Sequence, residues 1–211
     1  MLQSQTVEPR TLELLKKIMQ IPDLKDFVLV GGTNLSLRLG HRLSIDLDLF
    51  SNKIFDPQEI SDVLIDVFPQ TIIVSQSKTM LFLFIETIKI DIVYIPQSYI
   101  QPVEEIDGIR LASIPDIIAM KLNAIARRGV KKDFWDIAEL LDSYSVAEMI
   151  DFFKMKYVNN DIFSILRSMM YFEDAEIQKD PDPLKKITWS AVKKKVKTAV
   201  KQYIDIRTIN S

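Results

Sequence analysis

The pattern of apolar residues in this chain shifts near residue 110, from strands mixed with helices to helices alone, and that shift limits the folds open to it. Before that point most runs alternate or are briefly continuous; beyond it they recur every three or four positions. Phe27–Val30 is a short apolar run stopped by Gly31-Gly32, the pattern of a buried strand ending in a turn. Ile45–Phe50 (IDLDLF) alternates strictly, and Thr71–Ser75 reads as another strand. Met80–Ile85 and Ile88–Ile95, separated by Glu86-Thr87, predict a hairpin. Three helices interleave. Thr11–Gln20 is apolar at Leu12, Leu15 and Met19. Thr33–Leu39 has Thr33 as cap and Gly40 after its end, and Pro57–Phe68 gathers Ile60, Val63, Leu64 and Val67 on one side. From Ser113 the pattern is helical: Ser113 to Arg128 closed by Gly129, then Lys132–Asp142. A capping box at Ser145…Glu148 opens another helix, followed by Asn160–Tyr171 and Trp189–Ile206, with Pro181-Asp182-Pro183 as a linker. The expectation is an α+β chain: an α/β core over residues 1–110 and a helical C-terminal domain over residues 111–211.

Composition removes whole classes of chemistry. The 211 residues contain no cysteine and one histidine, which excludes disulfides, thiolate metal sites, cysteine nucleophiles and multi-histidine metal centres. The formal net charge of −2 advertises no global affinity for nucleic acid. It conceals a basic end, because residues 184–211 hold seven Lys and one Arg against one Asp. On the last helix Trp189, Val192, Val196, Ala199, Val200 and Tyr203 form an apolar stripe, with Lys193, Lys194, Lys195, Lys197 and Lys201 off it. That face is either simply solvated or a contact for an RNA backbone. The first residues carry no leader pattern, and no apolar run approaches the ~20 residues of a membrane span. A cytoplasmic protein without a membrane partner is expected.

What remains is oxygen chemistry. Period-2 alternation puts Asp46 and Asp48 on one strand face, with α-carbons roughly 6.5–7 Å apart. Such a pair is either surface decoration or a ligand set for one or two hard cations, Mg²⁺ or Mn²⁺. Gly31-Gly32-Thr33, at a strand-to-helix junction, is either a plain turn or a place where backbone N–H groups meet phosphate. Asp91, within IKIDIVYI, is either an outward residue beside Lys89 or a third carboxylate for the metal. Ser44 shares the face of Asp46, and His41 stands beside Arg42 just before the strand, with no partner for a triad in view. Downstream, Lys121 and Arg128 fall on one helical stripe and could clamp a triphosphate, while Asp133 and Asp136 lie three residues apart on the next helix. The bland alternatives are a snorkelling lysine and an aspartate that favours a helix N-terminus.

Taken together, Gly31-Gly32-Thr33, then Gly40-His41-Arg42-Leu43-Ser44-Ile45-Asp46-Leu47-Asp48-Leu49-Phe50 with its R-x-S-x-D-x-D spacing, then Lys121…Arg128-Gly129 and Lys132-Asp133-Phe-Trp-Asp136, resemble the nucleotidyltransferase AbiEii/AbiGii toxin family. That family lies within the DNA polymerase β-like nucleotidyltransferase superfamily, and the resemblance spans about Phe27 to Leu141. It implies a polymerase-β-like core, with a mixed sheet flanked by helices, and a helical C-terminal part. It further implies a metal-dependent enzyme that transfers an NMP from an NTP to an acceptor. By that resemblance Asp46, Asp48 and Asp91 hold Mg²⁺ (or Mn²⁺), and Gly31, Gly32, Thr33, Arg42, Ser44, Lys121 and Arg128 meet the nucleotide. Lys121 and Asp133 join the three carboxylates in catalysis. The expected acceptor is RNA, such as a tRNA 3′ end, and the expected setting is a type IV toxin–antitoxin system with an antitoxin encoded nearby. A protein or small-molecule acceptor, or a non-catalytic nucleotide- or RNA-binding regulator, are the alternative readings.

Overall fold

In the computed structural model, which describes residues 1–158 and 161–209, the chain divides into two compact units, Met1–Ser113 and Ile114–Ser211. The first unit holds α1 (Pro9–Met19), β1 (Val28–Val30), α2 (Gly31–Leu39), β2 (Leu47–Ser51), α3 (Pro57–Val67), β3 (Thr71–Ser77), β4 (Met80–Ile85), β5 (Ile88–Tyr94), β6 (Glu104–Ile106) and β7 (Ile109–Leu111). The strands form one mixed sheet in the order β3-β4-β5-β2-β1-β7-β6. Two of its contacts, β2 with β5 and β1 with β7, are parallel and join segments far apart in sequence. One face is the core. Leu47 and Leu49 of β2, Leu81 and Leu83 of β4, and Ile90 and Ile92 of β5 are wholly buried there, with Leu15 and Ile18 of α1 and Leu64 of α3 in the same cluster. Alternation then sends Asp48, Phe82, Phe84 and Asp91 to the opposite face, where they are only half-buried.

The helix ends have identifiable causes. Asp56 caps α3 by accepting the Gln58 N–H at 2.8 Å, and Pro57 occupies the first helical position, where its missing N–H costs nothing. Gly40 closes α2 in the left-handed region at φ +67°, with its N–H on the Ser36 carbonyl. Three differences from the sequence reading matter. The helix after the glycines begins at Gly31, so Thr33 sits in its first turn and does not cap it. Strand β2 begins at Leu47, because Thr33 holds the preceding segment by side-chain bonds instead of a ladder. The hairpin β6–β7 was not expected, although Asp107-Gly108, with φ +54° and +76°, has the dihedrals and sequence of a tight hairpin turn.

The second unit is helical: α4 (Ile114–Arg128), α5 (Lys131–Leu140), α6 (Val146–Lys156), α7 (Ile162–Met169), the single turn α8 (Glu173–Glu176) and α9 (Trp189–Ile209). Ser145 and Glu148 complete the expected capping box reciprocally, at 3.2 and 2.8 Å. Asp161 caps α7; Asn160, the expected start of that helix, lies outside the described residues. Val192, Val196, Val200 and Tyr203 of α9 are buried, and Trp189 stacks on Trp135 of α5 with ring centroids 5.6 Å apart. Among the described residues, no helix is long and apolar enough to cross a membrane.

Candidate active site

The sheet register sets two of the carboxylates side by side. Val30, Asp48, Asp91 and Phe82 are direct partners across four adjacent strands, β1, β2, β5 and β4. Neighbouring strands lie about 4.8 Å apart, so the side chains of Asp48 and Asp91 rise side by side from the same face. Val30 is also the last residue before α2, which therefore starts level with Asp48. A helix start offers unpaired N–H groups and a positive dipole end, both favourable to an anion.

The two glycines of that junction make room for side chains of the protein itself. A Cβ on Gly31 would lie 2.1 Å from Asp48 Oδ2, and Gly31 has φ +69°. A Cβ on Gly32 would lie 2.2 Å from Arg42 Nη2 and 3.4 Å from Ser44 Oγ. The first turn of α2 is thus packed against a carboxylate on one residue and a guanidinium on the next. Arg42 is buried and donates from Nη1 to the Leu43 carbonyl at 2.9 Å. Thr33, fully buried, donates its hydroxyl to the Asp46 carbonyl and stands 2.9 Å from the Ser44 hydroxyl. These bonds fix the loop that presents Asp46, which is half-buried one residue before β2. His41 is buried in the same loop.

Asp91 is unusual in its two oxygens. Oδ2 accepts from Lys89 Nζ at 2.6 Å, whereas Oδ1 is buried and has no hydrogen-bond partner. An unsatisfied buried acceptor costs about 1–3 kcal/mol, which a bound cation or donor at Oδ1 would recover. Among the described residues, no three His, Cys, Asp or Glu side chains are gathered around a common point. The donors that Asp46, Asp48 and Asp91 offer are all hard oxygens, a donor chemistry that suits Mg²⁺ or Mn²⁺ and not a softer metal.

The cationic block of the second unit is built differently. Lys121, on α4, is buried and places Nζ 2.7 Å from Asp133 Oδ1 and 2.6 Å from Asp136 Oδ2, both on α5. Arg128, whose side chain is 55% exposed, donates from Nε to Asp133 Oδ2 at 3.1 Å. Burial pushes the Asp133 carboxyl up, but Lys121 and Arg128 beside it more than offset this and hold it below the usual carboxylate range. The Lys and Arg that share a helical stripe therefore both face a carboxylate of their own unit. A second buried pair, Lys156 Nζ to Asp116 Oδ1 at 2.8 Å, was not anticipated; nothing in the local sequence marks residues forty positions apart as partners.

Several residues of α9 are likewise engaged: Lys193 with Glu176, Lys195 with Asp142 at 2.6 Å, and Lys197 over the Phe172 ring. Sequence reasoning also passed over Phe82 and Phe84, whose alternation with Leu81, Leu83 and Ile85 places them on the carboxylate face.

Residues 13–206 match the family described as nucleotidyl transferase AbiEii toxin, type IV TA system. An uncharacterised protein of Aquifex aeolicus (strain VF5) is 36% identical over 201 residues, which cover 92% of this chain and 95% of that protein. The fold is similar to that of MenT4, a nucleotidyltransferase toxin of Mycobacterium tuberculosis H37Rv, at TM-score 0.58 and 13% identity over 92% of this chain and 84% of that one. It is also similar to JHP933 of Helicobacter pylori, at TM-score 0.53 and 17% identity over 97% and 100% of the two chains.

Proposed function

The chain belongs to the AbiEii family of nucleotidyltransferase toxins and is an NTP-dependent nucleotidyltransferase; from that premise we propose that it transfers an NMP from an NTP to the 3′ end of an RNA, such as a tRNA. In that reaction the terminal hydroxyl oxygen of the acceptor bonds to the α-phosphorus, the bond from that phosphorus to the bridging oxygen breaks, and pyrophosphate leaves. The observation that carries the proposal is the registered pair Asp48–Asp91 at the start of α2, with Asp91 Oδ1 buried and unsatisfied.

Asp46, Asp48 and Asp91 would hold Mg²⁺ or Mn²⁺. When bound, the cation supplies positive charge against the phosphates and makes a nearby hydroxyl more acidic. The rest falls to side chains and backbone. The first turn of α2, beginning at Gly31-Gly32, meets phosphate with its N–H groups, and Arg42, with Ser44 beside it, adds a cation at that turn. Asp91 orients the acceptor hydroxyl and takes its proton at Oδ1. Thr33 positions Asp46. Lys121 and Asp133, with Arg128, act as positioning residues within the helical unit. Positioning and electrostatics of this kind carry most of the barrier reduction in phosphoryl transfer. The biological reading is a toxin whose activity is restrained by an antitoxin encoded nearby.

The test is labelling. The full chain is incubated with Mg²⁺, each radiolabelled NTP and total RNA, beside an Asp46→Ala/Asp48→Ala variant. Metal-dependent label on RNA from the wild type alone supports the proposal. Label on protein or on a small molecule instead, or equal label with the variant, overturns it.

A further inference from the structure

Beside the carboxylates, β4 carries two phenylalanines on the face opposite the core. Phe82 and Phe84 alternate with Leu81, Leu83 and Ile85, which are essentially fully buried in the core. The phenylalanines point to the opposite face and remain half-exposed. Their neighbours are fixed by register. Phe82 faces Asp91 on β5 and Ser75 on β3; Phe84 faces Lys89 on β5 and Ile72 on β3. Ile72 is 61% exposed, which extends the apolar floor to the sheet edge. Lys89 is the cation of this surface. Its side chain is 45% exposed, its Nζ lies 5.9 Å from the centroid of the Phe82 ring, and it pairs with Asp91.

Two half-exposed aromatic rings at i and i+2 on a strand, about 6.8 Å apart, with a lysine on the adjoining strand, are the elements of a platform for unpaired bases. Every base offers a π-face, so such a platform needs no particular sequence, and the lysine answers the phosphate between two nucleotides. The platform is also continuous with the proposed chemistry, since Phe82 stands one strand from Asp91 and two from Asp48. We propose that Phe82 and Phe84 stack the terminal bases of a single-stranded RNA acceptor, and that Lys89 meets the intervening phosphate, so that the terminal hydroxyl is delivered to Asp91. This rests on the RNA-acceptor reading above and adds to it where the acceptor lies and what form it takes: a frayed or unpaired end, not a duplex.

The experiment compares wild type, Phe82→Leu/Phe84→Leu and Phe82→Trp, all as full-length protein with melting curves as folding controls. The probe is a fluorescein-labelled single-stranded RNA dodecamer, with the matching duplex as a second probe. The leucine variant keeps apolar volume but loses the rings. It is expected to bind the single strand about tenfold to a hundredfold more weakly and to raise the KM for RNA by the same factor, with the KM for NTP unmoved. Phe82→Trp is expected to retain binding, and its added fluorescence to be quenched by the single strand and not by the duplex. A folded leucine variant with wild-type affinity and RNA KM, while wild type still labels RNA, overturns the platform and leaves the RNA acceptor standing. Wild type that labels only protein or a small molecule overturns both. If the leucine variant does not fold, the tryptophan decides: no quenching by the single strand overturns the platform.

Discussion

Both units of this molecule hold aspartates away from water, and they treat them in opposite ways. In the helical unit Asp116, Asp133 and Asp136 are wholly buried, and each is met by a lysine ammonium at 2.6–2.8 Å. In the sheet unit Asp46, Asp48 and Asp91 are half-buried, and Asp91 keeps one oxygen that nothing in the fold satisfies. A buried charge paired within hydrogen-bond distance locks two helices in one arrangement, since separating the pair strands a charge in apolar surroundings. A half-buried carboxylate with an unused lone pair costs stability and offers binding. The same residue type thus serves as framework in one unit and, in the proposed reaction, as reagent in the other. Exposure and partners tell the two apart where the sequence alone does not.

The comparison breaks most visibly at Lys121. Lys121→Met leaves Asp133 and Asp136 with no buried ammonium, and the expected loss is about 3–5 kcal/mol in urea unfolding. A variant as stable as wild type but inactive would move Lys121 from framework to chemistry. Gly31→Ala is the counterpart in the sheet unit. Its methyl cannot coexist with the Asp48 carboxylate where it stands, and a displacement of about 1 Å at a reacting centre lowers turnover on the order of 10²-fold. Initial rates at saturating NTP test this, and near wild-type turnover would show that Asp48 can move without consequence.

The smallest effect is a pH dependence that belongs to the helical unit. The folded-state value of Asp133 is depressed, so its contribution to stability is fully present above the ordinary carboxylate range. It is lost as pH falls through the lowered value. Acid unfolding followed by far-ultraviolet circular dichroism is expected to show this contribution in wild type and to lose it in Asp133→Asn. An unchanged acid profile in that variant would show that the lock carries no linked proton.

Much of the sheet unit was legible because strands announce themselves by period. The alternation of Ile45–Phe50 located the strand that carries Asp48, although that strand begins at Leu47 and leaves Asp46 in the loop before it, and Gly31-Gly32 marked a strand-to-helix junction. What fills the space at those glycines was not legible, since the carboxylate of Asp48 and the guanidinium of Arg42 arrive there only through tertiary structure. The register of Asp91 beside Asp48 is equally hidden, because parallel pairing of β2 with β5 is set by the whole sheet and not by either strand. The hairpin β6–β7 was missed for a local reason. Its strands are three residues long and one is Glu-Glu-Ile, so no alternation could build up although Asp107-Gly108 was plain. In the helical unit, periodicity located Lys121 and Asp133 on successive helices but could not say that they face one another.

The parallel pairings of the sheet also have a consequence in time. A ribosome releases Asp46 and Asp48 long before Asp91, and strand β1 gains its second neighbour only when Leu111 has emerged. Until β5 has emerged, β2, paired only with β1, is an edge of an unfinished sheet. An interrupted translation product that stops before Ile88 would carry the D-x-D motif with β1 on one side and no Asp91 on the other. If the proposed reaction needs Asp91 beside Asp48, its site is completed late in synthesis, when a distant strand closes on a motif made early.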